Sequence, residues 1–220
     1  EYRRQRQMCI RDRTYIIFDN AVYGLTKGQA SPTLKLGEQT KSLPTPNSNY
    51  NVNPISLAIS SGFTFVARGY SYDVRHLKDL IIAAVNHKGL AFLDVLQPCP
   101  TYNDINTRDW FSGKDRVDEV TNKSMPRIYK LEDTEYDPVV HFNDDAELNE
   151  KRTQAMVKSL EWDSKIPIGI FYKNELITPY TRRITDKIPN YVENPSALQN
   201  ISHNGISITN IDKILDSLQV

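Results

Sequence analysis

Residues 19–33, DNAVYGLTKGQASPT, carry hard oxygen donors and a positive charge at a spacing that suits a cation and an anionic substrate. Asn20 offers a side-chain oxygen, and Val22 offers a backbone carbonyl two residues on. Magnesium takes oxygen ligands in near-octahedral geometry, often with only one or two protein groups and the rest from phosphate and water. A side-chain amide and a carbonyl at this spacing can fill two adjacent corners. Backbone amides around Gly24, Gly28 and Gln29 can meet phosphate or carboxylate oxygens, and Lys27 adds charge for an anion. The plain alternative is a turn built on Asn20 and Gly24. A hairpin turn needs about two to five residues, and this stretch is longer and chemically more mixed.

Cys99 lies in Leu96-Gln97-Pro98-Cys99-Pro100-Thr101-Tyr102. A lone cysteine after a strand behaves as a small buried hydrophobe unless other ligands join it. Cys9 has no Cys-x-x-Cys context and is set aside. His76 and His87 are eleven residues apart on one helical pattern, about three turns, too far to share a metal. Surface or helix-end roles are expected for them. Arg68 is expected in an ordinary salt bridge, Tyr70 and Tyr72 in packing, and Asp144-Asp145 in a solvated acidic turn.

These groups need a scaffold. Thr14–Phe18 is a nearly continuous apolar run, expected as a strand buried on both faces. Pro54 opens a short helix pattern that closes near Gly62. The stretch 63–68, FTFVAR, reads as a second buried strand. Asp73 caps a helix with Val74, Leu77, Ile81, Ala84 and Val85 at helical spacing and Gly89 at its C-terminal cap. Residues 90–97 form a third strand. From about 104 to 150 the texture is polar and loop-like. A helix over Glu150–Trp162 and a strand over 166–172 follow, and a short amphipathic helix is expected in the last residues, ITNIDKILDSLQV. Strands alternating with helices predict an α/β fold with a mostly parallel sheet, whose ligands bind at the carboxyl ends of strands. The loops at 19–33 and 97–103 both start at such ends.

Lys plus Arg and Asp plus Glu are 27 each, so the net charge is zero. That excludes a general nucleic-acid binder. No run of about 18 apolar residues exists, so no membrane helix is expected, and the expected compartment is the cytoplasm. The arginine-rich stretch 1–13 differs in texture from the rest. It is expected to be a non-native leader joined to native sequence from about Thr14.

Four stretches together resemble the beta subunits of 2-oxoacid:ferredoxin oxidoreductases, the pyruvate and 2-oxoglutarate synthases. They are DNAVYGLTKGQASPT, SSGFTFVARGYSYDVRHLKDLI, HKGLAFLDVLQPCPTYN and KIPIGIFY. The resemblance covers about residues 14–180. It implies a thiamine-diphosphate-binding α/β fold over 14–103, with a family C-terminal region and irregular tail over 104–220. It implies Asn20 as a magnesium ligand through its side chain and Val22 through its backbone oxygen, with Tyr23, Gly24 and Gln29 near the cofactor. Leu25, Lys27 and Thr33 match positions facing the 2-oxoacid or acyl acceptor. Leu25 stands where pyruvate-selective relatives tend to have Asn, which leans towards 2-oxoglutarate. Cys99 matches the cysteine that closes a four-cysteine 4Fe–4S site. The family's Gly-Asp-Gly magnesium segment and three other cluster cysteines have no match here, which fits an N-terminally truncated chain.

The implied activity is oxidative decarboxylation of a 2-oxoacid to acyl-CoA, with electrons passing through the cluster to ferredoxin. The implied partners are the alpha subunit, ferredoxin, the 2-oxoacid and coenzyme A, and no nucleic acid or membrane. The alternative is a catalytically incompetent fragment that only docks to an alpha subunit.

Overall fold

The computed structural model describes residues 12–208 and 215–216. The expectations for Cys9, for nearly all of the leader, and for most of the C-terminal helix fall outside these residues. The chain divides into two compact units, Glu1–Tyr180 and Thr181–Val220.

The first unit runs through β1 (Thr14–Asp19), a small hairpin of β2 (Val22–Tyr23) and β3 (Gln29–Ala30), and α1 (Pro54–Ser60). It continues through β4 (Phe65–Tyr70), α2 (Val74–Asn86), β5 (Ala91–Leu96) and α3 (Arg108–Phe111). β6 (Ile128–Lys130), α4 (Asp145–Ser159) and β7 (Ile166–Lys173) complete it. The second unit holds all but the first residue of α5 (Tyr180–Lys187) and the hairpin of β8 (Ser202–His203) and β9 (Ile206–Ser207).

Five strands form one sheet in the order β1-β5-β4-β7-β6. β1, β5 and β4 are mutually parallel, β7 runs antiparallel to β4, and β6 runs parallel to β7. Three of the four ladders are therefore parallel, as the alternation of strands and helices predicts. One face packs Phe65, Ala67, Leu93 and Val95 against Leu80 and Ala84 of α2. The other packs Val66 and Phe171 against Ile55 and Ile59 of α1 and Ala155 of α4. Alternation along β4 puts Arg68 on this second face, with Val66.

Local signals explain most element ends. Asn53 caps α1 by accepting from the Ser56 amide, with Pro54 in the first turn. Asp73 caps α2 through the His76 amide.

Several expectations need correction. β1 is not buried on both faces: β5 is its one strand partner among the described residues, and Phe18 is 63% exposed. A continuous apolar run looks the same at an edge as in the middle of a sheet. Val74 and Val85 of α2 are exposed, and Leu77, Leu80, Ile81 and Ala84 form its inner stripe. α2 ends at Asn86 with His87 extended, so Gly89 is not its cap. Gly89 has φ +152°, and a β-carbon there would lie 2.5 Å from Thr64 Oγ1. α4 starts and ends earlier than expected, because Asp144 is its N-cap, accepting from the Glu147 amide, rather than part of a solvated turn. The 104–150 stretch also contains β6, too short for a periodic signal.

Candidate functional site

β1 ends at Asp19, level with Leu96 at the end of β5. The chain then turns sharply. Ala21 sits at φ +61°, a left-handed conformation uncommon outside glycine. Two side chains hold that turn. Asp19 Oδ1 accepts from the Ala21 amide at 3.1 Å, and Asn20 Oδ1 accepts from the Val22 amide at 3.1 Å. Asp19 Oδ1 also accepts from Thr33 Oγ1 at 2.5 Å, which folds the far end of the loop back onto the strand. The Ala21 carbonyl accepts from the Ser31 amide at 3.0 Å, closing the β2–β3 hairpin base.

The hairpin pairs Val22 with Ala30 and Tyr23 with Gln29. Its tip is tight: the Gly28 amide donates to the Tyr23 carbonyl at 2.7 Å and the Lys27 amide to the Gly24 carbonyl at 3.1 Å. The Gly28 amide is thus committed within the hairpin rather than open to a phosphate. Gly28 has φ +102°, and a β-carbon there would lie 2.5 Å from Ser42 Oγ and 2.9 Å from the Tyr102 ring.

The structure thus brings Asn20, Val22, Tyr23, Gly24, Gln29 and Thr33 together at the carboxyl end of the sheet. It sorts them by access. Val22 is buried, Tyr23 and Gln29 are exposed, and Leu25 is 98% exposed at the tip beside exposed Gly24 and Lys27. Neither Leu25 nor Lys27 lines the cleft beside Asn20. Thr33 is bonded to Asp19, so its hydroxyl first serves the loop.

Asn20 lines a small cleft with Asp19, Thr33, Gln97, Asn103 and Trp162. Its wall mixes the side-chain oxygens of Asp19 and Asn20, which a hard cation can use, with Lys35, Leu96 and Phe111. The Asn20 side-chain oxygen accepts one hydrogen bond and keeps a second lone pair, so Asn20 fits a single magnesium ligand. Cys99 is half-buried, with a free thiol, in the loop after β5. Among the described residues no group of three or more His, Cys, Asp or Glu is placed to hold a metal. One thiolate does not make a four-thiolate cluster site; these residues can contribute Cys99 and nothing more.

Sequence reasoning missed what lies beneath the turn. Arg68 lies within β4 and is level with Asp94 across the ladder. Its Nε donates to Asp94 Oδ2 at 2.9 Å, with both side chains removed from solvent. The guanidinium lies 5.6 Å from the Trp162 ring and 5.4 Å from the Phe171 ring. Burial pushes the Asp94 carboxyl up to about 6 in spite of Arg68, and nearby Asp19 adds to the rise. The expected salt bridge exists, but as a buried pair rather than an ordinary one. Only its alternation with Val66 in an apolar strand hinted at burial.

His76 and His87 lie at the ends of α2, as expected, His76 in its first turn and His87 at its C-cap. His87 is fully covered: its Nε2 lies 2.7 Å from Thr64 Oγ1, and burial lowers its pKa. His76 lies 3.4 Å from Glu132. Tyr70 packs on Tyr72 and Phe111, as expected. No helix among the described residues is long and apolar enough to cross a membrane.

Residues 7–95 match the family model for the C-terminal TPP binding domain of thiamine pyrophosphate enzymes. Residues 99–187 match that for the C-terminal part of the pyruvate ferredoxin oxidoreductase beta subunit. The 2-oxoacid:ferredoxin oxidoreductase subunit beta of Saccharolobus solfataricus is 52% identical over 95% of this chain and 64% of its own length. That of Sulfolobus sp is 55% identical over the same shares. The chain thus spans 64% of the length of these relatives. A solved 2-oxoglutarate:ferredoxin oxidoreductase from Magnetococcus marinus shares the fold, with TM-score 0.61 and 24% identity over 94% of this chain and 58% of that one. With high identity along nearly all its length, and two adjoining family models matched in order, the chain belongs to the family of 2-oxoacid:ferredoxin oxidoreductase beta subunits.

Proposed function

We propose that this chain supplies the thiamine-diphosphate- and magnesium-facing turn of an enzyme that oxidatively decarboxylates 2-oxoacids, 2-oxoglutarate or pyruvate, to acyl-CoA. The observation that carries the reading is the Asn20–Val22 turn. It stands at the carboxyl end of a parallel strand, within the stretch matched by the thiamine-enzyme model, with a small cleft beside it. Thiamine diphosphate supplies the electron sink for loss of carbon dioxide. The chain's own share is binding and orientation. Asn20 gives one oxygen to magnesium, and Val22 gives its backbone oxygen. Asp19, by holding Ala21 and Thr33, keeps both at the strand end. Cys99 gives one thiolate towards a 4Fe–4S cluster.

Among the described residues nothing covers Leu25 at the hairpin tip. Leu25 and Lys27 stand free at a hairpin tip, so a pocket around the 2-oxoacid needs a second chain, the alpha subunit. Coenzyme A takes the acyl group and ferredoxin takes the electrons, one at a time.

The test is calorimetry on the complex of this chain with its alpha subunit. Magnesium-dependent, saturable binding of thiamine diphosphate is expected. A complex that assembles and binds none would leave the docking-module reading in its place.

A further inference from the structure

The loop that carries Cys99 and the turn that carries Asn20 are far apart in sequence but joined by side chains. Asn103 is 2% exposed and uses its backbone amide and both polar side-chain atoms. Its backbone amide donates to the Cys99 carbonyl at 3.0 Å. Its side-chain Nδ2 donates to the Asn20 carbonyl at 3.1 Å. Its Oδ1 accepts from the amides of Ile105 and Asn106 at 2.9 and 3.0 Å. One buried residue therefore links Cys99 to Asn20 through two hydrogen bonds. A second tie lies beside it. Ser42 Oγ is 2.7 Å from the Gly28 carbonyl and 3.3 Å from the Tyr102 carbonyl. A third comes from the backbone, where the Gln97 amide donates to the Asp19 carbonyl at 2.8 Å.

We infer that Asn103 is a positioning residue, with Ser42 as its auxiliary, that locks residues 20–31 and 97–106 into one unit. Both side-chain ties are partly buried, so the carbonyl that each frees on breaking regains water only in part. The two loops therefore open together rather than separately. The significance rests on the thiamine reading: in that reading the lock fixes the spacing between the cofactor-facing turn and the cluster-facing cysteine, on which electron transfer depends.

The test uses the chain itself and needs neither cofactor nor cluster, so its failure is distinct from failure of the thiamine reading. Asn103→Asp keeps the acceptor for Ile105 and Asn106 but removes the donor to Asn20. Amide hydrogen exchange of residues 20–31 and of 97–106 should rise together, by about tenfold, while β4 and β5 stay at the parental rate. A residue that only shapes its own turn would raise exchange in 97–106 and leave 20–31 at the parental rate. If Asn103→Asp loosens the whole sheet, Ser42→Ala, a smaller deletion, decides by the same joint rise of both segments. Faster exchange in 97–106 alone overturns the inference.

Discussion

Arg68 Nε donates to Asp94 Oδ2 at 2.9 Å across neighbouring strands, with no solvent at either side chain. One charge-assisted bond does not replace the hydration of a fully buried carboxylate, and Asp94 Oδ1 has no partner among the described residues. Its carboxyl therefore rises to about 6, against about 3.9 in an unfolded chain. Between those values the folded protein holds more protons than the unfolded one. This group's stabilising contribution is full below about pH 4 and is lost as pH rises through about 6. The span is worth roughly 2–3 kcal/mol. Urea unfolding of the parent and of Asp94→Asn at a series of pH values measures it. The gap between the two curves should change across this window in the variant's favour as pH rises; parallel curves would place an ordinary carboxylate at position 94.

Thr33 and Asp19 give a second expectation. The hydroxyl bond at 2.5 Å is to a carboxylate, and such bonds contribute about 1.5–3 kcal/mol. Thr33→Val should lower stability by about that much in thermal melts. Thr33→Ser, which keeps the hydroxyl, should recover most of it. A Thr33→Val protein as stable as the parent would free the hydroxyl for the substrate-facing role that the family resemblance suggests.

Asn20 is tested through its own oxygen. In the complex with the alpha subunit, Asn20→Ala removes one magnesium ligand and the acceptor for the Val22 amide. Affinity for magnesium–thiamine diphosphate should fall by on the order of tenfold, about 1.4 kcal/mol. Isothermal titration at saturating magnesium measures it. Unchanged affinity would reduce Asn20 to a turn residue.

The fold was legible where periodicity and punctuation agree. Asn53 with Pro54, and Asp73 ahead of the α2 stripe, mark helix starts through backbone chemistry that needs no tertiary information. Phe18 shows the limit: whether an apolar strand lies at an edge depends on its neighbours, which its own residues do not encode. The site divides in the same way. Asn20 and Val22 were singled out by a local pattern, an asparagine after a strand end, and the family resemblance then supplied their expected role. Asn103, Asp94 and Ser42 were not, because their roles exist only through partners on distant segments. Arg68 was visible as a charged residue in an apolar run, yet nothing local named Asp94 as its partner.

Substrate choice is the last prediction, and it turns on the hairpin tip. Leu25 is 98% exposed, and Lys27 stands exposed beside it at φ +65°. Held in the left-handed region, Lys27 projects from a turn pinned by its own amide to Gly24 and by Gly28 to Tyr23. When a second chain covers this tip, the ammonium group can meet the distal carboxylate of 2-oxoglutarate, and pyruvate leaves it unpaired. Lys27→Ala keeps the β-carbon and so the same backbone cost, which makes it a clean removal of charge. It should lower kcat/KM for 2-oxoglutarate relative to pyruvate by about 1–3 kcal/mol, measured in the complete enzyme with ferredoxin as acceptor. Leu25→Asn should move the ratio in the same direction by less, since it replaces an apolar contact rather than a charge. If each substitution changed both acids by one common factor, the tip would be holding the assembly together rather than choosing the acid, and the thiamine-facing role of Asn20 would stand without it.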